Sequence, residues 1–221
     1  MITLHGFAHR LPELAMGHTR DLRVQWALEE VGLPYRVRGL DLLAGELKRE
    51  EFARLSPFQQ VPVIEDDDMV LSESGAIVLY LAEKAGKLIP PDMRGRAEVT
   101  RWCFAALTSV EPTLMQIAFL DEGIEPGPDA PRRRAFYIEL AGRWLGGMQR
   151  RLSEVLYLAG TEFTVADILF TTVLQIVDAG VVTPYPALVD YRRRCEARPA
   201  WQRTLDDYKR RLNLAPGAAR R

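Results

Sequence analysis

Two periods of hydrophobicity divide this chain. In the first part, apolar residues alternate with polar ones in short runs. Residues 2–7 (ITLHGF) alternate and open with a β-branched residue, which predicts a first strand. Thr19 to Val31 follows the helical period, with Leu28 and Val31 at i+4 and i+7 from Val24, and Gly32 and Pro34 stop it. Tyr35 to Leu40 predicts a second strand, with Tyr35 and Val37 on one face and Arg36 and Arg38 on the other. Residues 46–54 form a polar segment compatible with a helix, and Val61–Ile64 with Met69–Leu71 reads as a hairpin across Glu65–Asp68. Gly75 to Glu83 is apolar on almost every side, the mark of a covered helix. The order β-α-β-α-β-β-α implies a parallel first pair of strands and an antiparallel second pair.

Residues 84–95 (KAGKLIPPDMRG) change the composition to Pro, Gly and charge, a linker. Beyond it the period is helical throughout. Long helices are predicted over Arg96–Leu120, with Pro112 forcing a kink or local break, and over Pro131–Leu156. A nearly apolar helix runs from Thr164 to Ala179, and two more open on Pro186 and Pro199 in the favoured first-turn position. The expected organisation is an α/β domain over 1–83, a linker over 84–95, an all-helical domain over 96–212 and a loose tail over 213–221.

The chemistry concentrates in residues 60–82 (QVPVIEDDDMVLSESGAIVLYLA). A proline inside an apolar run cannot donate to a strand ladder, so Pro62 belongs at an edge. Its peptide bond is a candidate for the cis form. Such an edge leaves the N–H and C=O of Val61 for an incoming peptide. Glu73 and Ser74 open the next helix, where unpaired N–H groups face an anion. The combination describes a pocket for a small peptide with a free carboxylate.

Composition narrows the classes. The 221 residues suffice for one large or two small domains, and 48% hydrophobic with 27% charged residues is ordinary for a globular chain. A net charge of −1 gives no basis for nucleic-acid or anionic-lipid binding. The sequence has no unbroken apolar run of bilayer length and no secretion signal, and its two cysteines make no disulfide framework, so a cytoplasmic, reducing location is expected. The three histidines match no ligand spacing and no metal is expected.

The 60–82 run, with WALEEVGLPY at 26–35, LSPFQQVP at 55–62 and LAGTEFTVADILF at 158–170, resembles the cytosolic glutathione transferase family in its bacterial type. The resemblance extends in one register to about Leu212. It implies a thioredoxin-like N-terminal domain, an all-α C-terminal domain and glutathione as co-substrate. By this resemblance Val61, beside Pro62, pairs its backbone with the cysteinyl part of glutathione. Glu73 and Ser74 hold the γ-glutamyl end, and Gln60 and Lys48 reach the glycyl carboxylate. An electrophile site is implied between the domains, bordered by Phe7 and by Trp102, Ala106, Val110 and Leu114 on one helix face. The family pattern also implies a homodimer. Thr164 and Asp167 form the family's capping box, a structural element.

The chain departs from the family at the residue that activates the thiol. Its first 34 residues contain no Ser, Cys or Tyr, and the loop from Ala8 to Gly17 is long. The positions that remain are His18, Thr19 and Arg20. Thr19 can donate a hydrogen bond to sulfur, and its plain alternative is a helix cap. His18 can take the thiol proton or stabilise the thiolate, and Arg20 can supply charge; the plain alternative for both is a solvated loop residue. The reading is a glutathione transferase or a close glutathione-dependent enzyme acting on a small electrophile, a peroxide or a disulfide. The alternative is a non-catalytic interaction protein of the same fold, of the stringent starvation protein type.

Overall fold

The computed structural model describes residues 1–8 and 19–212. The first unit is built on a four-stranded sheet in the order β2-β1-β3-β4. β1 (Ile2–Ala8) runs parallel to β2 (Tyr35–Asp41), as the intervening α1 (Asp21–Val31) requires. β3 (Val63–Asp66) is antiparallel to both β1 and β4 (Met69–Ser72), with Asp67 in the left-handed region (φ 55°) at the hairpin turn. The expected thioredoxin-like sheet is therefore present. β3 starts at Val63, after Pro62, because proline has no N–H to give the ladder. The polar segment before it forms one 3-10 turn (Glu46–Lys48) and a short helix, α2 (Glu50–Leu55).

Residue alternation assigns the two sheet faces. Leu4 and Ile64 are fully buried on one face. On the other, α2 covers Leu40, Val63 and His5, whose ring lies 5.9 Å from Phe52. α1 and α3 (Ser74–Ala85) pack together, and α3 is the covered helix its composition implies.

One ion pair ties the hairpin to α3. Lys84 Nζ lies 2.5 Å and Tyr80 Oη 2.7 Å from Asp66 Oδ2. Burial alone would raise the Asp66 carboxyl, but these hydrogen bonds and the Lys84 charge outweigh it and hold it below its ordinary range. A depressed carboxyl stabilises the fold above its unfolded pKa, about 3.9, and the contribution is lost as pH falls through the folded value. Urea unfolding should find Lys84→Met less stable than wild type near neutral pH, with the gap closing as pH falls below about 4. Identical acid profiles would remove the pair from the account.

The second unit is helical. α4 (Met93–Phe104), a π-helical turn (Ala105–Val110) and α5 (Glu111–Asp121) form one continuous run. Sequence predicts a kink or local break at Pro112. The chain instead widens into the π turn before it and places Pro112 in the first turn of α5, where its missing N–H costs nothing. The 29-residue run Met93–Asp121 has the length and composition of a bilayer span. However, Val99, Cys103, Ala106, Val110, Leu114 and Ile117 along it are buried, as in a core helix. α6 (Ala130–Leu152), α7 (Val165–Leu174), α8 (Ala179–Val182) and α9 (Pro186–Glu196) complete the unit. α7 ends earlier than its apolar pattern suggests, because Asp178 caps the next turn through Gly180 N at 2.7 Å.

α10 (Pro199–Arg211) belongs with the first unit, although sequence places it in the helical domain. Trp201 stacks on Trp26 of α1 at 4.6 Å, and Arg198 forks onto Glu30 at 2.6 and 2.8 Å. Arg203 reaches Glu29 and Gln25 reaches Asp207. The polar face of α1, which its pattern assigns to solvent, is thus covered. Arg23 and Gln25 are buried with Leu22 and Val24. The segment 213–221, expected to be a tail, lies outside the described residues.

Candidate functional site

Sequence predicts an edge strand at Val61–Pro62; the pair instead lies in the loop just before β3, which is an interior strand between β1 and β4. Ser56, buried, folds the preceding loop onto itself: its Oγ donates to Gln60 O (2.9 Å) and accepts from Gln60 N (3.0 Å). The Val61–Pro62 peptide is cis. The Val61 side chain packs inward with Leu40, Leu47, Phe52 and Val63. Its backbone N–H and C=O find no hydrogen-bond partner among the described residues. A buried side chain thus anchors an unpaired main-chain edge, the arrangement that lets an extended peptide add as a strand.

After β4, Glu73 stands exposed with φ 70°, a conformation rare outside glycine, and its carbonyl accepts from Ile77 N at 2.9 Å. Strain of this kind concentrates at functional sites. Ser74 follows as the first residue of α3 and is 4% exposed. Its Oγ lies 3.4 Å from Nη1 of Arg23, a buried guanidinium that sequence reading passes over. Ser74 therefore has a cation on one side and the open N–H groups of α3 on the other, a setting for a carboxylate. Lys48 in the 3-10 turn and the Gln60 side chain are exposed, as mobile partners for a second carboxylate would be.

Of the three positions that sequence offers for thiol activation, the structure describes two. His18 lies outside the described residues, as does most of the Ala8–Gly17 loop. Arg20, exposed, is the residue that caps α1, without a side-chain cap bond. Thr19 is therefore not the predicted N-cap. It is 7% exposed, its carbonyl accepts from Leu22 N, and its Oγ1 lies 2.7 Å from the Tyr208 hydroxyl of α10. Beside it Asp21 is fully buried, and its Oδ2 accepts from Phe7 N (3.1 Å) and from Arg211 Nη1 (3.0 Å). Oδ1 is buried without a partner among the described residues. Arg211 Nη1 also reaches Phe7 O at 2.5 Å. A Cβ on Gly6 would lie 2.6 Å from both Arg211 Nη1 and Asp21 Oδ2, so a larger residue there would displace these side-chain groups.

The predicted electrophile-site residues divide. Phe7 packs against two clusters, one with Leu40, Phe52 and Val61 and one with Leu22, Tyr208 and Leu212. Ala106 and Val110 are 0% and 3% exposed and Leu114 is fully buried, on a run that packs against α7. These three side chains are packed in the core of the helical unit. Trp102 is partly buried, edge-on to Phe170 at 5.8 Å, with the Arg101 guanidinium 4.9 Å from its ring centre and its Nε1–H unpaired among the described residues.

Both cysteines are buried, and burial pushes the Cys103 and Cys195 thiols up to about 12. In the helical unit, Asp167 forms the expected capping box with Thr164. It also accepts from Leu158 N and from the Tyr191 hydroxyl.

Comparison with known proteins gives the family. The glutathione S-transferase N-terminal domain matches residues 14–83 and the C-terminal domain matches residues 142–199. The disulfide-bond oxidoreductase YfcG of Escherichia coli (strain K12) is 31% identical over 194 residues, covering 80% of this chain and 86% of the relative. Glutathione S-transferase 1 of Triticum aestivum is 33% identical over 212 residues, covering 87% and 93%. A crystal structure of a glutathione transferase from Burkholderia graminis, with two glutathione molecules bound per subunit, superposes with a TM-score of 0.81 at 28% identity, covering 95% of this chain and 89% of that one. With both halves of the fold matched and relatives above 30% identity along most of its length, this chain belongs to the glutathione S-transferase family.

Proposed function

We propose that this protein binds glutathione on the Val61–Pro62 edge and uses its thiolate as the nucleophile. The observation that carries the reading is the unpaired backbone of Val61, which can exchange two hydrogen bonds with the cysteinyl residue of the tripeptide. Glu73 offers its carboxylate to the γ-glutamyl ammonium, while Ser74 and the first N–H groups of α3 receive the adjoining carboxylate. Lys48 and Gln60 take the glycyl carboxylate. Relatives solved with glutathione or glutathione disulfide bound support the choice of ligand.

A free thiol with a pKa of about 8.5 is largely protonated at neutral pH, so the site must favour the thiolate. The available groups are the N–H groups opening α1, Thr19, Arg20 and His18. The thiolate then has two outlets. At an electrophilic carbon it forms a thioether and expels a leaving group. At a disulfide it forms a mixed disulfide and releases the second sulfur as thiolate, the chemistry in the printed name of the Escherichia coli relative. The exposed apolar side chains Phe58 and Val70 in one unit, and Met93 and Phe104 in the other, support assembly as a homodimer. A cytoplasmic location suits both the free cysteines and the glutathione pool.

The protein's own thiols stay out of this chemistry. Native protein treated with iodoacetamide at neutral pH should show no alkylation by mass spectrometry and full turnover. Incorporation with loss of turnover would place a protein cysteine in the reaction.

A second reading has one observation in its favour. The first 34 residues offer no Tyr, Ser or Cys. A protein of this fold that binds a macromolecular partner without turnover would need no thiol activation. Calorimetry with glutathione separates the two: sub-millimolar binding supports the glutathione-dependent enzyme, and binding weaker than millimolar supports the interaction protein.

A further inference from the structure

Resting on the glutathione reading, we infer that Tyr208 of α10 is a positioning residue for thiol activation, acting through the hydroxyl of Thr19. Among the positions that sequence leaves for this task, 18 to 20, Thr19 alone carries a hydroxyl. Its Oγ1 lies 2.7 Å from the Tyr208 hydroxyl, in a buried contact between residues 189 apart in the chain.

A threonine hydroxyl has one proton and two lone pairs. If Thr19 donates to Tyr208, its proton is spent and it turns only lone pairs toward sulfur. If Tyr208 donates, Thr19 keeps its proton for the thiolate. A phenol is the more acidic partner, so the second arrangement is favoured. An alcohol that accepts one hydrogen bond is also polarised into a better donor. Tyr208 thus decides which way the Thr19 proton points and strengthens it.

The surroundings hold this pair in place. α10 is fastened along α1 from Arg198–Glu30 at one end to Arg211–Asp21 at the other. Arg211 grips both the Phe7 carbonyl, at the end of β1, and Asp21, at the start of α1. Its Nη2 donates to Gln25 Oε1 at 2.9 Å. The Tyr208 ring packs with Leu22, Leu212 and Phe7, which fixes the direction of its hydroxyl. Gly6 leaves the room for the clamp. The C-terminal helix therefore completes the thiol end of the first unit, and the residue that a single-site search near the N-terminus cannot find is supplied from position 208.

The test is Tyr208→Phe, which keeps the ring and removes the hydroxyl. Glutathione affinity by calorimetry should stay within about twofold of wild type, since Val61, Glu73 and Ser74 are untouched. The thiol pKa of bound glutathione, followed by thiolate absorbance against pH, should rise by about half to one unit, with a ~3- to 10-fold smaller thiolate fraction at neutral pH. Thr19→Val should raise it similarly, and adding Tyr208→Phe to Thr19→Val should change nothing more. Thr19→Ser should restore the wild-type titration. Normal glutathione binding with an unchanged titration in Tyr208→Phe would overturn the inference and leave Tyr208 as packing alone. A wild-type protein that binds no glutathione would overturn this inference together with the reading beneath it.

Discussion

Replacing Asp167 by alanine is expected to cost about 3–5 kcal/mol of stability, a large share of what a domain of this size possesses. Its carboxylate is fully buried and accepts four hydrogen bonds: Thr164 N at 2.8 Å, Thr164 Oγ1 at 3.0 Å, Leu158 N at 3.1 Å and the Tyr191 hydroxyl at 2.9 Å. Alanine removes the cap of α7 and strands two backbone donors and a phenol in an apolar interior. Urea unfolding should show a lower midpoint with an unchanged slope. Burial raises the Asp167 carboxyl above its ordinary range despite those bonds. A carboxyl raised on folding contributes stability that is present below its unfolded pKa and fades as pH rises through the folded value. The stability gap between wild type and Asp167→Asn should therefore be widest in mild acid. A midpoint within experimental error for Asp167→Ala would contradict the assigned network.

The second large effect concerns the ligand. Glu73→Ala and Ser74→Ala should each weaken glutathione binding by about tenfold or more, as expected when a charge-assisted hydrogen bond is removed. Glu73 allows a sharper separation of fold from function. Its φ of 70° is unfavourable for any residue with a Cβ, and α3 begins immediately after it. Glu73→Gly should therefore gain roughly 0.5–1 kcal/mol of stability while losing affinity as Glu73→Ala does. A glycine variant that is more stable and binds glutathione as well as wild type would show that the carboxylate has no part in recognition.

What the sequence reveals and what it conceals follow from the range of the interactions. The cis Val61–Pro62 peptide, the start of α3 at Glu73–Ser74 and the Thr164–Asp167 box are local: each is written in fewer than five consecutive residues. The parallel β1–β2 pair and the antiparallel β3–β4 pair follow from connection lengths in the same way. The engagement of Thr19 by Tyr208 joins residues 189 apart, and nothing in either neighbourhood announces the other. The same holds for α10. Its apolar residues predict a buried face, but only the fold shows that the surface it meets is the polar side of α1.

Helix period also proved ambiguous about what a face touches. Ala106 and Val110 lie on an apolar stripe, which serves a substrate wall and a packed core equally well, and the structure uses them as core. Pro112 guarantees a disturbance of the helix but not its form, and the chain absorbs it as a π turn. Nothing in the sequence marks Arg23 as buried, because a lone arginine on a helix is ordinarily solvated. Here it is 1% exposed and lies behind Ser74.

In the proposed complex, the unpaired main chain at Val61 and the first turn of α3 together grip the tripeptide. The most direct measurement is a calorimetric titration of the native protein with glutathione, repeated with the dipeptide cysteinylglycine, which lacks the γ-glutamyl end. The account predicts saturable sub-millimolar binding of glutathione and binding of the dipeptide at least about a hundredfold weaker, from the lost contacts to Glu73 and Ser74. No heat with glutathione, or equal affinity for the two ligands, would contradict it.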